Sequence, residues 1–88
     1  MNGRRLVARN LRKLRVARDL SQERLANEAE LERRYIGGIE RGEENPTVLT
    51  LEKLAKALGI HISEFFIEPD PGSRPISGLR AGRKPSRR

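Results

Sequence analysis

Arg33 and Arg34 are the residues of this 88-residue chain whose type and position first suggest chemistry. They open the second half of SQERLANEAELERRYIGGIERG, residues 21–42, which reads as a short helix, a tight turn and a second helix. A guanidinium presents parallel N–H donors that match paired acceptors such as guanine O6 and N7. Arg33, Gly37 and Arg41 fall at i, i+4 and i+8, with Arg34 and Gly38 in the adjacent row, while Ile36, Ile39 and Glu40 point elsewhere. One face of such a helix can pack while the other stays free. A surface helix with paired arginines at its start has the shape that enters a DNA major groove. The competing reading is two solvated arginines at a helix start, where the macrodipole disfavours cations.

Other chemistry has little to stand on. His61 is the single histidine and there is no cysteine, so no ligand set for zinc, no disulfide and no thiol nucleophile is expected. The chain shows neither a phosphate-cradling glycine loop nor a convergent acid pair, which argues against an enzyme and against a cofactor. No apolar run approaches the roughly 18 residues of a membrane span. The basic start, MNGRRLVARN, lacks the apolar stretch of a secretory signal. A cytoplasmic, nucleoid-associated protein is the expectation.

The excess of basic charge, +7, is unevenly spread. Residues 1–68 carry thirteen Lys and Arg against eleven Asp and Glu, whereas residues 69–88 carry six against one. Arg4, Arg5, Arg9, Arg12, Lys13, Arg15 and Arg18 crowd the first segment. Such clusters point to an anionic partner or to a solvated helix face.

The elements that must position the arginines follow from periodicity. Val7, Leu11 and Leu14 mark one face of a first helix over residues 4–18, and Asp19 with Leu20 makes a turn. Ser21 is a suitable N-cap for a second helix whose core side holds Leu25 and Ala26. Glu30 and Leu31 turn the chain into a third helix over residues 32–41, stopped by Gly42. Thr47 caps a fourth helix, residues 48–58, with Leu51, Leu54, Ala55 and Leu58 on one face and Gly59 at its end. A short fifth helix over residues 62–67 carries Phe65 and Phe66. The division expected is a 1–68 domain and a disordered basic tail over 69–88, rich in Pro, Gly, Ser and Arg.

With LSQERLA at 20–26, YIGGIERG at 35–42, NPT at 45–47 and LEKLAKALGI at 51–60 in view, the chain resembles the Cro/repressor (Xre-type) helix-turn-helix family. It is most similar in character to the restriction–modification controller proteins. The likeness covers residues 7–67. It implies an all-α, compact five-helix, lambda-repressor-like DNA-binding domain that binds a partly palindromic operator as a homodimer. It implies base reading by Arg33 and Arg34; Gly38, a departure from the family pattern, is expected to join them through close backbone approach to DNA or through weak, shape-based readout. Gln22, Tyr35, Arg41, Asn45 and Thr47 would contact phosphates, and Gln22 would also brace the recognition helix. Arg15 and Glu40 match a pair that bridges the first and third helices in relatives. Dimers in the family form through the fourth and fifth helices, so Phe65 is expected in the core and Ile62 or Phe66 at the partner.

The chain also departs from that pattern. Glu30 replaces the usual turn glycine, and a left-handed glutamate costs about 1 kcal/mol. Arg24 replaces the glutamate of a capping box with Ser21. His61 stands at an N-cap position. Gly37 and Gly38 each cost about 0.8–1.0 kcal/mol inside a helix and leave the groove face bare. Glu32, Glu43 and Glu44 would repel phosphates, and the basic tail could supply the missing attraction. Beside a transcriptional repressor stand two other readings: an antitoxin whose tail or fifth helix grips a protein partner, and a protein-interaction adapter that keeps the fold.

Overall fold

The computed structural model describes residues 1–70, which form four α-helices and a short 3-10 segment, with no strand among the described residues. The helices are α1 (Gly3–Ala17), α2 (Gln22–Ala29), α3 (Arg33–Glu40) and α4 (Val48–Leu58), followed by the 3-10 segment Ile62–Phe66. The expected disordered tail lies, from residue 71 onward, outside the described residues.

Each α-helix except α3 begins on a side-chain cap. Asn2 Oδ1 accepts from the Arg5 amide at 2.9 Å, Ser21 Oγ from Arg24 at 3.0 Å and Thr47 Oγ1 from Thr50 at 3.0 Å. Such caps satisfy amides that have no partner within the helix. Asn2 accounts for the start of α1 at Gly3, one residue before the expected position. At α3, Glu32 is the N-cap residue itself and makes no side-chain cap, so the helix spans Arg33–Glu40 rather than 32–41.

All four helices end in one motif. Asp19, Glu30, Gly42 and Gly59 each adopt a left-handed conformation, with φ of 55°, 59°, 76° and 72°. In each case this residue and the next donate their amides back into the last helical turn. For α2 these bonds are Glu30 N to Asn27 O at 3.3 Å and Leu31 N to Ala26 O at 2.8 Å. For α4 they are Gly59 N to Lys56 O at 3.2 Å and Ile60 N to Ala55 O at 2.9 Å. This is the Schellman closure, which satisfies orphan carbonyls and reverses the chain sharply. Two of the four positions are therefore filled by acids instead of glycine.

The fifth helix is corrected to a 3-10 segment of five residues. A stretch that short cannot complete two α-turns, and the tighter 3-10 form is used in such pieces. His61 caps it, its Nδ1 accepting from the Ser63 amide at 3.1 Å. Asn10, buried on α1, holds it in place: its Nδ2 donates to Phe65 O at 2.8 Å and Ile67 O at 2.9 Å.

One core serves every element. Val7 and Leu11 of α1, Leu25, Ala26 and Ala29 of α2, and Ile36 and Ile39 of α3 meet Leu51, Leu54, Ala55 and Leu58 of α4 around Phe65. Helix α3 packs on α1 and α2, while the 3-10 segment packs on α1 and α4. Arg18 Nε donates to Leu58 O at 2.9 Å, tying the end of α1 to the carbonyl end of α4, where a cation is favoured.

Candidate nucleic-acid interface

The surface to be explained is α3 and the loop that follows it. Ile36 and Ile39 are buried and fix the inner face of α3. Arg33 and Arg34, at its first two positions, are exposed, the Arg34 side chain at 90%. No acid lies in the first turn of α3, and Glu32 makes no capping bond. Two cations at the positive end of a helix are unfavourable for the isolated helix. That position suits an anionic or acceptor-rich partner in front of them.

Glu40 anchors the back of α3. Arg15 Nε donates to Glu40 Oε2 at 2.7 Å and Arg15 Nη2 to Oε1 at 3.0 Å. Gln22 Nε2 donates to the same Oε1 at 3.0 Å. Arg15 Nη1 also donates to Leu20 O at 2.7 Å. The carboxylate thus joins α1, the start of α2 and α3. The Glu40 hydrogen bond, and after it the coulombic attraction, raise the Arg15 pKa against the lowering effect of burial.

The same Gln22 side chain reaches the groove side. A Cβ at Gly37 would lie 3.1 Å from Arg41 Nη1 and 3.5 Å from Gln22 Oε1. A Cβ at Gly38 would lie 2.7 Å from Glu44 Cγ. The expectation that the two glycines leave the face bare is corrected. Gln22 and Arg41 flank Gly37, and Glu44 lies over Gly38, because the loop after Gly42 folds back onto α3.

Arg34, Tyr35 and Arg41 come together along an open groove that Glu30, Leu31, Glu32 and Glu44 also line. Tyr35 is half-buried against the core. Arg34 Nε lies 3.8 Å from Glu32 Oε1, and Arg41 Nε lies 3.1 Å from Glu43 Oε1. Both pairs are exposed and so bind weakly, which leaves the arginines free to exchange partners. Asn45 is exposed, and Thr47 is occupied as the N-cap of α4. Ile62 and Phe66 belong to a different surface, on the 3-10 segment. Phe66 is exposed, and Ile62 is half-buried against the core.

Sequence reasoning missed two features. Asn10 sits between Val7 and Leu11, and a polar residue inside an apolar helical stripe is a readable signal of a buried hydrogen bond. The seating of Glu44 on Gly38 left no signal, since it depends on the path of the loop.

Comparison with known proteins agrees with this arrangement. The helix-turn-helix family model HTH_3 matches residues 11–65. The control protein C.BamHI of Bacillus amyloliquefaciens is 43% identical over 66 residues, 74% of this chain and 82% of that protein. The crystal structure of the restriction–modification controller protein C.AhdI from Aeromonas hydrophila superposes with a TM-score of 0.70 at 44% identity, covering 72% of this chain and 96% of that one. The controller protein C.Esp1396I, as a tetramer in complex with its natural 35 base-pair operator, superposes at 0.69 with 35% identity, over 75% of this chain and 87% of that one. With α2 and α3 in the matched segment and the arginines on its open face, the chain belongs to the HTH_3 helix-turn-helix family, among the relatives of the restriction–modification controllers.

Proposed function

We propose that the protein is a sequence-specific DNA-binding transcriptional regulator, most simply a repressor, acting in the cytoplasm on a partly palindromic operator. The observation that carries this reading is the pair Arg33 and Arg34, exposed at the N-terminal end of α3 where helix electrostatics alone disfavour them. In this reading α3 enters the major groove and the two arginines read base edges. Gln22, Tyr35, Arg41, Asn45 and Thr47 hold the sugar–phosphate backbone, which sets register without reading sequence. The operator complex of C.Esp1396I, a protein of the same fold, supports it.

The protein acts as a dimer through Ile62 and Phe66. The exposure of Phe66 and Ile67, 47% and 53%, next to the 3-10 segment supports that assignment. A two-fold pair of this kind sets recognition helices about 34 Å apart, one turn of DNA. Residues 1–68 form the DNA-binding domain, and the cations of residues 69–88 add attraction to phosphates or to a protein partner.

Selection from a random duplex pool at fixed salt tests the reading. The expected product is a pair of half-sites about 10 base pairs apart, centre to centre, containing guanine. Arg34→Ala then relaxes preference at one position of each half-site. An unchanged preference removes Arg34 from the base-reading set, and a pool without enrichment removes the function itself.

A further inference from the structure

The loop after α3 is bound to the helix it leaves. The amides of Glu43 and Glu44 both donate to the Gly38 carbonyl, at 2.9 and 3.3 Å. This folds Glu44 back across α3. A Cβ on Gly38 would lie 2.7 Å from Glu44 Cγ, 3.3 Å from its Oε2 and 3.5 Å from its Cδ. Real Cβ atoms do not approach a mid-chain carbon so closely, so the absent side chain of Gly38 is the space that Glu44 occupies.

That space is one turn beyond Arg34 on the same helical row. The carboxylate lines the open groove with Arg34, Tyr35 and Arg41. Arg34 is paired with Glu32 and Arg41 with Glu43, and Glu44 has no ion-pair partner among the described residues. The backbone bonds therefore place an exposed carboxylate on the surface proposed to face DNA, with no hydrogen-bond or ion-pair partner among the described residues.

We propose that Glu44 is a specificity-determining residue, accepting a hydrogen bond from the N4 amino group of a cytosine in each half-site. The inference rests on the reading that α3 enters the major groove. An ionised carboxylate only accepts. In that groove guanine offers the acceptors O6 and N7, and thymine offers O4. Adenine offers an N6 donor beside an N7 acceptor, whereas cytosine offers its N4 donor alone. A seated carboxylate thus matches cytosine and is repelled by guanine and thymine. It also repels phosphates on every sequence, so it weakens non-cognate binding while the cytosine contact restores the cognate one.

The test uses the full chain, native and as Glu44→Gln and Glu44→Ala, in selections from one random duplex pool at one salt concentration. The selected duplex is then titrated with its cytosine pair intact and replaced. The native protein enriches cytosine at one position per half-site, and replacing that pair by T·A weakens binding about 5- to 10-fold, the low end for one direct base contact. Glu44→Gln moves the preference to adenine, which glutamine matches at N6 and N7. Glu44→Ala loses preference there and binds random duplex more tightly. Base frequencies unchanged in both variants, with uniformly tighter binding, reduce Glu44 to a repelling charge and overturn the proposal while the regulator reading stands. A native protein that enriches no sequence overturns both.

Discussion

Arg15 and Glu40 face each other as a bidentate pair, Nε to Oε2 at 2.7 Å and Nη2 to Oε1 at 3.0 Å, with side chains only 13% and 3% exposed. The pair fixes α3 against α1 directly behind the DNA-facing surface. Removing one partner strands the other charge out of water, typically at about 3–5 kcal/mol. Arg15 keeps 13% of its side chain exposed, so Arg15→Met is expected to destabilise by about 3 kcal/mol, the low end of that range. Replacing both partners, as Arg15→Met with Glu40→Leu, removes the stranded charge and recovers most of that loss. Urea unfolding midpoints of the three variants check this, and a double variant as unstable as the single one would show that the charge is not the cause.

The pH dependence of that pair has a definite sign. Its hydrogen bond to Glu40 raises the Arg15 pKa in the folded state. A raised pKa contributes stability that is fully present below the unfolded value and is lost as pH rises through the folded one. For a guanidinium that loss falls in strongly alkaline solution. The contribution of Arg15 to the stability of the native protein is therefore expected to stay constant from about pH 6 to about pH 9, since no arginine titrates in that window. A decline across it, followed by denaturant titration at each pH, would assign the linkage to another group.

Glu30 holds a left-handed turn that glycine would enter without strain, at φ 59°. Its side chain is exposed and makes no hydrogen bond or ion pair among the described residues. Glu30→Gly is expected to stabilise the domain by up to about 1 kcal/mol, the scale of the left-handed penalty for a residue with a Cβ. That corresponds to a rise in Tm of about 4–8 °C for a domain of this size. Asp19→Gly should gain less, because a short polar side chain tolerates the same region. Calorimetry separates the two.

These turns also show how much of the fold was legible. The fourth helix was readable in full, since Thr47, the i, i+3, i+4, i+7 spacing of Leu51, Leu54, Ala55 and Leu58, and Gly59 all agree. The exposed arginines of α3 followed from the buried positions of Ile36 and Ile39. The 3-10 segment was not distinguishable from a short α-helix, because five residues contain too few turns to carry a period. Asn10 inside the apolar stripe of α1 signals a buried hydrogen bond, but its partners Phe65 and Ile67 lie more than fifty positions away, and Glu44 reaches Gly38 through a loop, so neither partner has a local signature.

Asn10 is the fastening of the 3-10 segment. Asn10→Leu keeps the volume and deletes both donors, leaving the carbonyls of Phe65 and Ile67 without their partner. The expected loss is about 1–3 kcal/mol, as for other buried groups left unsatisfied. It should be local: amide exchange accelerates over residues 62–67 while α2 and α3 stay protected. Sedimentation of the same variant should show weaker self-association, since Ile62 and Phe66 lie on the loosened segment. Equal exchange acceleration in α3 would mean that the segment does not open independently.

Gly37 and Gly38 look equivalent in sequence but not in their surroundings. Alanine is favoured over glycine in a helix interior by about 0.8–1.0 kcal/mol. At Gly37 the new methyl would meet Arg41 Nη1 at 3.1 Å, the far end of a flexible side chain that can swing aside. Gly37→Ala should therefore stabilise the fold by a few tenths of a kcal/mol, up to the full propensity gain of about 1 kcal/mol. It should also weaken DNA binding uniformly across sequences, as the proposed phosphate contact of Arg41 requires. At Gly38 the methyl would meet Glu44 Cγ at 2.7 Å, close to a loop whose amides are bound to the Gly38 carbonyl. Gly38→Ala must move that side chain, so its propensity gain is offset and its effect falls on base preference rather than on affinity alone. Thermal melts paired with binding to the selected and a scrambled duplex distinguish the two substitutions. Identical behaviour in both assays would show that Glu44 does not depend on the space above Gly38.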